Sequence, residues 1–333
     1  MIASRPRHGL TSIAAPLTVA VVIPTFRRPH DLARLLDSLS GGTRTPDEAI
    51  IVNNDPDRTL KLVQSPPFPF QVIDAGLGLN LAGARNLGAQ AASSDVCVFV
   101  DDDNWFDPQA LAAMTSEFYD PTVGFVGPVI LSADSPRIWC AGVKRSHWTT
   151  RTTMLYSGME EDALPHLSRW MTDEMPDCFA VRAQTLSRVG GFDEQTFPFH
   201  YDEADLGERL RHIAIQPYVL RSARIRHYCD TTITDAGTEV VGAFRRHGLG
   251  RVYVMVRARV WFHRRHEVGI RRITSLTFGV PAWAVVTAWL ILKRERQPKV
   301  VAGILGAMGQ GLYHGYARKL PGPPDSGTGA PGL

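Results

Sequence analysis

The sequence predicts an α/β fold, a mixed sheet with flanking helices, extended at its C-terminal end by basic, apolar helices. Three observations carry this. Short apolar runs rich in β-branched residues alternate with helix-patterned segments through the first hundred residues. Those runs end in polar or acidic residues. Beyond residue 240, arginines alternate with aromatic and aliphatic residues and lead into twenty positions, 273–292, that carry no charge.

The elements follow in order. TVAVVIPTF (18–26) reads as a buried parallel strand that ends at Pro24. Pro29 opens a helix whose Leu32, Leu35, Leu36 and Leu39 share one face. EAIIVNN (48–54) is a second buried strand. NLAGARNLGAQAA (80–92) is small and helix-prone, and DVCVFV (95–100) is a third strand that runs into Asp101-Asp102-Asp103. Such alternation implies right-handed parallel units. Asp107-Pro108 reads as a helix start, VGFVGPVIL (123–131) as a strand, and 144–175 as a long loop over a site. DCFAVRAQTLSRVGGF (177–192) is a strand and a short helix ending at Gly190-Gly191. The acidic run FPFHYDEADLGERL (197–210) leads into a helix, and PYVLRSARIRHY (217–228) is the last strand region.

Charge divides the chain. Residues 241–320 hold fifteen Lys/Arg against two acids, Glu267 and Glu295, a balance of +13; the overall +3 therefore leaves −10 on the rest. A mildly acidic body (18–240) thus carries a basic region (241–320) suited to an anionic partner, between a flexible leader (1–17) and a disordered Pro/Gly/Ser tail (321–333). Cys97, Cys140, Cys178 and Cys229 are far apart with no CxxC pairing, which fits reduced thiols rather than a zinc site or a disulfide framework. The first residues lack a signal-peptide pattern.

Several clusters can carry chemistry. Asp101-Asp102-Asp103 follows a buried strand, where ligands of open α/β sheets bind. Adjacent carboxylates there either form a solvated acidic turn or hold a hard cation, Mg²⁺ or Mn²⁺, that in turn binds a diphosphate. Pro24, Thr25 and Arg27, with Asn53 and Asn54, end the first two strands and either read a nucleoside or make ordinary turns. Arg85 and Asn86 lie between Gly83 and Gly88, whose spacing lets a helix approach a strand. Arg85 can reach a phosphate or pair with an acid. Asp202, Glu203 and Asp205 are either dipole-complementing residues of a helix start or include a general base beside Phe199 and Tyr201. Glu203 and Asp205 flank Ala204 and so point to different sides. His227 ends a strand, as a structural residue or as a phosphate or metal contact.

Taken together, the segments VVIPTFRRPHDLARLLDSL, IVNND, LNLAGARNLGAQAA, VFVDDDN, VGGFDEQTF, HYDEADLGERL and ARIRHY resemble, in order and spacing, the inverting GT-A-fold glycosyltransferases of family 2, in particular the rhamnosyltransferase-like branch. The resemblance covers 18–265. It implies a nucleotide-sugar site built from Pro24, Thr25, Arg27, Asn53, Asn54, Arg85, Asn86, Asp101 and Asp102. Asn53 stands where the family commonly has Asp. Asp103 and His227 are implied near the metal and donor diphosphate, and Gly191, Phe192 and Asp193 on the acceptor side. Alignment points to Glu203 as base, with Asp202 as rival because the family's acidic pair is inverted here. The implied reaction transfers a sugar from dTDP-rhamnose or another NDP-hexose to a lipid-linked or polysaccharide acceptor in cell-envelope glycan synthesis. A nucleotidyltransferase would want a glycine-rich basic loop after the first strand, which PTFRRPHD lacks; a non-catalytic scaffold would not need the intact acids.

Residues 273–292 are just long enough to span a bilayer core, but Pro281 and several hydroxyl residues interrupt them. If 273–292 and the apolar run after it crossed as a hairpin, KRERQPK (293–299) would fall outside, against the positive-inside preference. The reading is one or two helices lying in or entering the cytoplasmic leaflet, arginines on anionic headgroups, with a single span and a buried helix as alternatives. Nucleic acid is excluded as partner because the charges flank apolar runs rather than line a polar groove.

Overall fold

The computed structural model describes residues 16–55, 57, 59–76, 79–228 and 236–324. Most of the expected leader, the tail beyond 324 and Cys229 lie outside the described residues.

In the first half, β1 (Val19–Thr25), α1 (Pro29–Ser40), β2 (Glu48–Asn53), β3 (Phe70–Asp74), α2 (Leu81–Ala91) and β4 (Val96–Val100) follow one another. β1 and β4 are buried on both faces, which is why their sequences are unbroken apolar runs rather than alternating ones. β1 pairs in parallel with β2 and β4, and β2 with β3. Of the two expected glycine contacts, Gly88 makes the close one to the sheet: a Cβ there would lie 2.3 Å from Val22 Cγ1. Gly83 instead meets Leu79 and Glu194.

Past β5 (Asn104–Phe106), α3 (Ala110–Ser116) begins two residues later than the Asp107 cap suggests, with Gln109 at the cap. β6 (Phe125–Ser132), β7 (Ile138–Cys140), β8 (Val143–Arg145), β9 (Thr152–Met154), β10 (Arg169–Met171), β11 (Cys178–Arg182), α4 (Ala183–Arg188), α5 (Asp202–His212) and β12 (Tyr218–His227) complete the body. The segment expected as one long loop therefore contains three short strands. The sheet runs β10-β12-β6-β11-β4-β1-β2-β3. β11 enters antiparallel beside β4, so the sheet is mixed.

The C-terminal region is less separate than its charge suggests. α6 (Ala236–His266) is broken at Gly248, whose φ of 77° is left-handed. Its second half joins the body: Ala258, Trp261 and Phe262 pack with Phe197 and Ala204 in one cluster. Several of the basic residues expected on headgroups are internal. Arg265 pairs with Asp193 and Asp205, and Arg259 is buried and donates to the Thr150 carbonyl.

A single helical run, Gly269–Arg294, includes the uncharged stretch. It comprises α7 (Gly269–Thr274), a π-helical turn (Ser275–Gly279) and α8 (Val280–Arg294). Pro281 lacks the N–H that regular α-helix needs, and the wider turn lies just before it. At Gly279 a Cβ would fall 2.8 Å from the Trp148 carbonyl oxygen, so mid-run the helix is pressed against the β8–β9 connection. α9 (Pro298–Ala317) packs along α6 through Gly311 and Gly315.

Candidate active site

The site forms where β1, β2 and β4 end and where β11 begins. Register places Cys178 of β11 opposite Val100, so Asp177 faces Asp101, whose N–H donates to the Asp177 carbonyl at 2.9 Å.

Arg85 of α2 is the centre of the arrangement. Its side chain is 0% exposed. One terminal nitrogen donates to Asp202 and to Glu203, each at 2.7 Å, and the other to Asp101 at 3.0 Å. Its ring neighbours Phe179 and Phe192 close it off from water. Burial opposes its charge but Glu203, Asp101 and Asp202 outweigh burial, so the guanidinium stays firmly protonated. Of the two roles open to Arg85, pairing with acids is the one observed.

Glu203 and Asp202 sit differently on that cation. Asp202 has a side chain 1% exposed, and Glu203 one 16% exposed. Burial and the neighbouring Glu203 charge push Asp202 well above the carboxylate range. Burial acts on Glu203 as well, but Arg85 and a hydrogen bond with Asp202 overcome it and hold Glu203 below its usual value. The pair therefore keeps its proton on the deeper member and presents Glu203 ionised. Asp205, on the opposite side as expected, binds Arg209, Arg265 and His266.

The triple acid divides three ways. Asp101 goes to Arg85. Asp102 turns inward, accepting from the Thr25 hydroxyl at 2.7 Å and from Arg28 at 3.0 Å, and burial lifts it to about 7 against those partners. Neither Thr25 nor Asp102 thus points at a ligand, contrary to the donor contacts expected of them. Asp103 meets Arg28 at 2.6 Å and lies 3.6 Å from His227 Nδ1. That imidazole is also 3.7 Å from Asp177 Oδ2, and both atoms are buried without a hydrogen-bond partner. Burial and then Asp101 and Asp103 raise Asp177 well above its ordinary value. Among the described residues no three such side chains already form a closed cation cage. Yet orphaned carboxylate and imidazole atoms around Asp103 fit a hard divalent ion, which would neutralise the crowded acids. Asp103, Asp177 and His227 are the residues that would hold it.

Other expected residues are structural. Asn86 bonds Phe192 at both its N–H and its carbonyl, fixing the Gly190-Gly191 turn. Phe192 is buried against Phe99, and Asp193 is buried on Arg265. Pro24 lies within β1, paired with Val52. Asn53 holds Asp74 and accepts from Asp55 N–H while lining a cleft of about 350 Å³. Arg27, which pairs with Asp55, Arg28 and Lys61 line the same cleft. Asn54 leaves its Oδ1 buried and unpartnered. Sequence reasoning missed Arg28 and Asp177. Arg28 sits beside Arg27 in FRRPH, and Asp177 directly precedes a strand that had to pair near the triple acid, but its antiparallel entry was not legible.

The model of the glycosyl transferase family 2 matches residues 20–190, half of the chain. The chain belongs to that family. Galactofuranosyltransferase GlfT1 of Mycobacterium tuberculosis is 28% identical over 201 residues, 58% of this chain and 64% of that protein. The chain thus spans somewhat less than two thirds of that relative. GlfT1 of Mycolicibacterium smegmatis is 28% identical over 222 residues, 64% of this chain and 72% of that protein. The fold is that of GT-A enzymes. GalNAc-T7, solved with UDP, GalNAc and Mn²⁺, superposes with a TM-score of 0.52 at 13% identity over 81% of this chain and 54% of its own. The mannosyltransferase PcManGT of Pyrobaculum calidifontis, solved with GDP-Man and Mn²⁺, gives 0.50 at 14% identity over 89% and 76%.

Proposed function

We infer that this family 2 member is an inverting, divalent-metal-dependent glycosyltransferase that moves a sugar from a nucleoside-diphosphate donor to an acceptor hydroxyl in cell-envelope glycan synthesis. The observation that carries the reading is the pairing of one ionised, accessible carboxylate, Glu203, with the acid end at Asp101–Asp103 through a shared buried arginine. Glu203 accepts the acceptor hydroxyl proton, and that oxygen attacks the anomeric carbon from the face opposite the nucleotide. One base suffices, because inversion requires no covalent intermediate. Asp202 stays protonated and fixes Glu203, and Arg85 keeps Glu203 ionised. The cleft lined by Arg27, Asn53 and Asp55 receives the nucleoside. A Mg²⁺ or Mn²⁺ ion held by Asp103, Asp177 and His227 would supply Lewis-acid stabilisation of a departing diphosphate. The names of the relatives favour a galactofuranosyl donor; a dTDP-rhamnose donor belongs in the same test.

The acceptor is lipid-linked or a growing glycan, met at the cytoplasmic face of the membrane, with the protein peripheral. Supporting this, Phe278, Val285 and Trp289 are 70%, 69% and 57% exposed on the Gly269–Arg294 run, bracketed by Arg271, Arg272, Lys293 and Arg294. Aromatic and basic residues so placed suit a headgroup boundary. Phe278→Asp with Trp289→Asp is expected to abolish co-sedimentation with phosphatidylglycerol vesicles; unchanged sedimentation would remove the membrane from the reading.

The deciding experiment screens sugar nucleotides with Mn²⁺ and reads the product anomer by NMR. Glu203→Gln is expected to lose transfer while retaining donor affinity. Wild-type-like rates in that variant, with Asp202→Asn inactive, would give the base role to Asp202. Product of retained configuration, or no turnover of any sugar nucleotide, would sink the proposal.

A further inference from the structure

Left-handed backbone is uncommon outside glycine, and under a bulky side chain it persists only where the surroundings impose it. Among the described residues six non-glycine positions have it, and three border the site: Arg27 after β1, Asp177 before β11 and Tyr201 before α5. Asp tolerates this conformation through its short polar side chain; Tyr has no such help. Tyr201, with φ of 67° and ψ of 5°, immediately precedes the Asp202–Glu203 pair. Its carbonyl accepts the Asp205 N–H at 2.8 Å, so its backbone sets the direction in which the first turn of α5 leaves.

The neighbours of the ring can impose that conformation. Arg145 Cζ lies 4.4 Å from the ring centre, the Phe262 ring 5.0 Å and Arg259 Cζ 5.6 Å. Each neighbour is itself anchored. Arg145 has a side chain 4% exposed and donates to Glu174 at 2.6 Å and to Thr152 at 2.8 Å. Arg259 is buried, donates to the Thr150 carbonyl and lies 4.1 Å from the centre of the Trp283 ring on α8. Phe262 is buried with Phe197 and Ala204. Cation–ring contacts strengthen when desolvated. The Tyr201 hydroxyl, by contrast, is buried with no hydrogen-bond partner, so the ring and not its polar tip is what these groups hold.

Glu203 depends on that turn. It meets Arg85 Nη1 at 2.7 Å while keeping an exposed edge. A Tyr201 relaxed to right-handed backbone would redirect the chain just before α5 and draw the carboxylate off that nitrogen. We propose that Tyr201 is a positioning residue: gripped by Arg145 of β8 and by Arg259 and Phe262 of α6, it holds the turn left-handed and keeps Glu203 on Arg85 at the cleft. This rests on the reading of Glu203 as the base. It gives the second half of α6 a part in the reaction as well as in packing, since two of the three groups on the ring belong to it.

The test reads Glu203 directly. Carboxyl ¹³C NMR of the full chain, with the Glu203 signal assigned by its loss in Glu203→Gln, follows ionisation of this group without any substrate. In Tyr201→Ala the Glu203 titration is expected to rise by at least ~0.5 unit, because its contact with Arg85 loosens. In the same variant kcat falls ~10–100-fold, as for a misplaced catalytic group, while donor KM stays within ~2-fold. Tyr201→Gly takes φ of 67° without strain and guards against a variant that fails to fold; with no ring to fix the turn, its Glu203 titration shifts in the same direction. Tyr201→Phe keeps the ring and retains most of the wild-type titration and kcat. An unmoved Glu203 titration in the Ala and Gly variants overturns the proposal. So does a donor KM that rises in step with the loss of kcat, which makes Tyr201 a general packing residue. A Phe variant as impaired as Ala overturns it too, assigning the role to the hydroxyl. A failed transferase reading would show separately, as no product from wild type with any donor, and the NMR titration would still stand.

Discussion

Arg85→Met removes the one positive charge among Asp101, Asp202 and Glu203, which approach it at 3.0, 2.7 and 2.7 Å. With charge centres ~4 Å apart and an effective dielectric of ~20, each attraction is worth about 4 kcal/mol before desolvation. For Glu203 that is an upper bound of about three pKa units at ~1.4 kcal/mol each. Glu203 lies below its usual value in the native protein because Arg85 outweighs burial. Without Arg85, burial outweighs the remaining hydrogen bond from Asp202 and the carboxylate moves above its unfolded value. The sign then reverses. The variant's folded state binds more protons than its unfolded state, so its stability falls as pH rises from about 4.3 towards the raised value. At pH 8 the expected loss is ~3–5 kcal/mol, as for breaking a buried ion pair, and at pH 5 it is smaller. Urea unfolding at both pH values measures it. In parallel, the acid limb of kcat/KM moves upward by at least ~1 unit if Glu203 is the base. Arg85→Lys keeps the charge but loses the fork and falls between the two. An Arg85→Met protein within ~0.5 kcal/mol of wild type with an unmoved acid limb would refute this account of the site.

Three further outcomes follow from other contacts. Asp177→Asn is expected to raise the Mn²⁺ midpoint in thermal-shift titrations by ~10–100-fold, and an unchanged midpoint would exclude Asp177 from the cation site. Glu267 is held at about 2 because hydrogen bonds from His147 and His263 outweigh its burial. Its contribution is therefore full above the unfolded value of ~4.3 and is lost as pH falls towards 2. Glu267→Gln should cost ~1–3 kcal/mol at pH 7 and progressively less near pH 3 in chemical denaturation; a pH-independent difference would contradict the linkage. Gly311→Leu sets a Cβ 2.7 Å from the Tyr253 carbonyl oxygen and should destabilise by at least ~1–3 kcal/mol as α9 is forced off α6, read as a fall in Tm.

Period and position made the sheet legible. β1, β2 and β4 are apolar runs because both their faces are covered, and the leucine stripe of α1 fills one of those faces. β3, FQVID, was not legible: it is an edge strand with exposed positions and no clean alternation. The region 144–175 resisted reading because its strands are three residues long, too short for a period to register. The basic segment misled for a different reason. Charge counts do not reveal partners distant in sequence, and Arg265 meets Asp193 and Asp205 sixty or more positions away. Within the site, the acids at strand and helix ends were found, but the direction of each side chain was not. Asn86, Phe192 and Asp193 lie in segments whose resemblance implied donor and acceptor contacts, and here Asn86 bonds Phe192 while Asp193 pairs with Arg265.

The first turn of α5 shows why two readings of one motif need not compete. Tyr201 ahead of it is left-handed, with φ of 67°, and its side chain makes no cap, so the acids at positions 202, 203 and 205 are well placed to complement the helix dipole. Successive helical residues differ by about 100° around the axis. Asp202, buried, and Glu203, partly exposed, meet the same Arg85 nitrogen, while Asp205 turns to Arg265 and His266 of α6. One short acidic run thus serves two separate cation clusters. On the proposed reading the inversion of the acidic pair does not displace the base, because the deeper member, Asp202, is the one whose burial favours the proton. The same turn also fastens α6 through Arg265 and His266. A change at Asp205 would therefore loosen α6 without touching the Arg85–Glu203 contact.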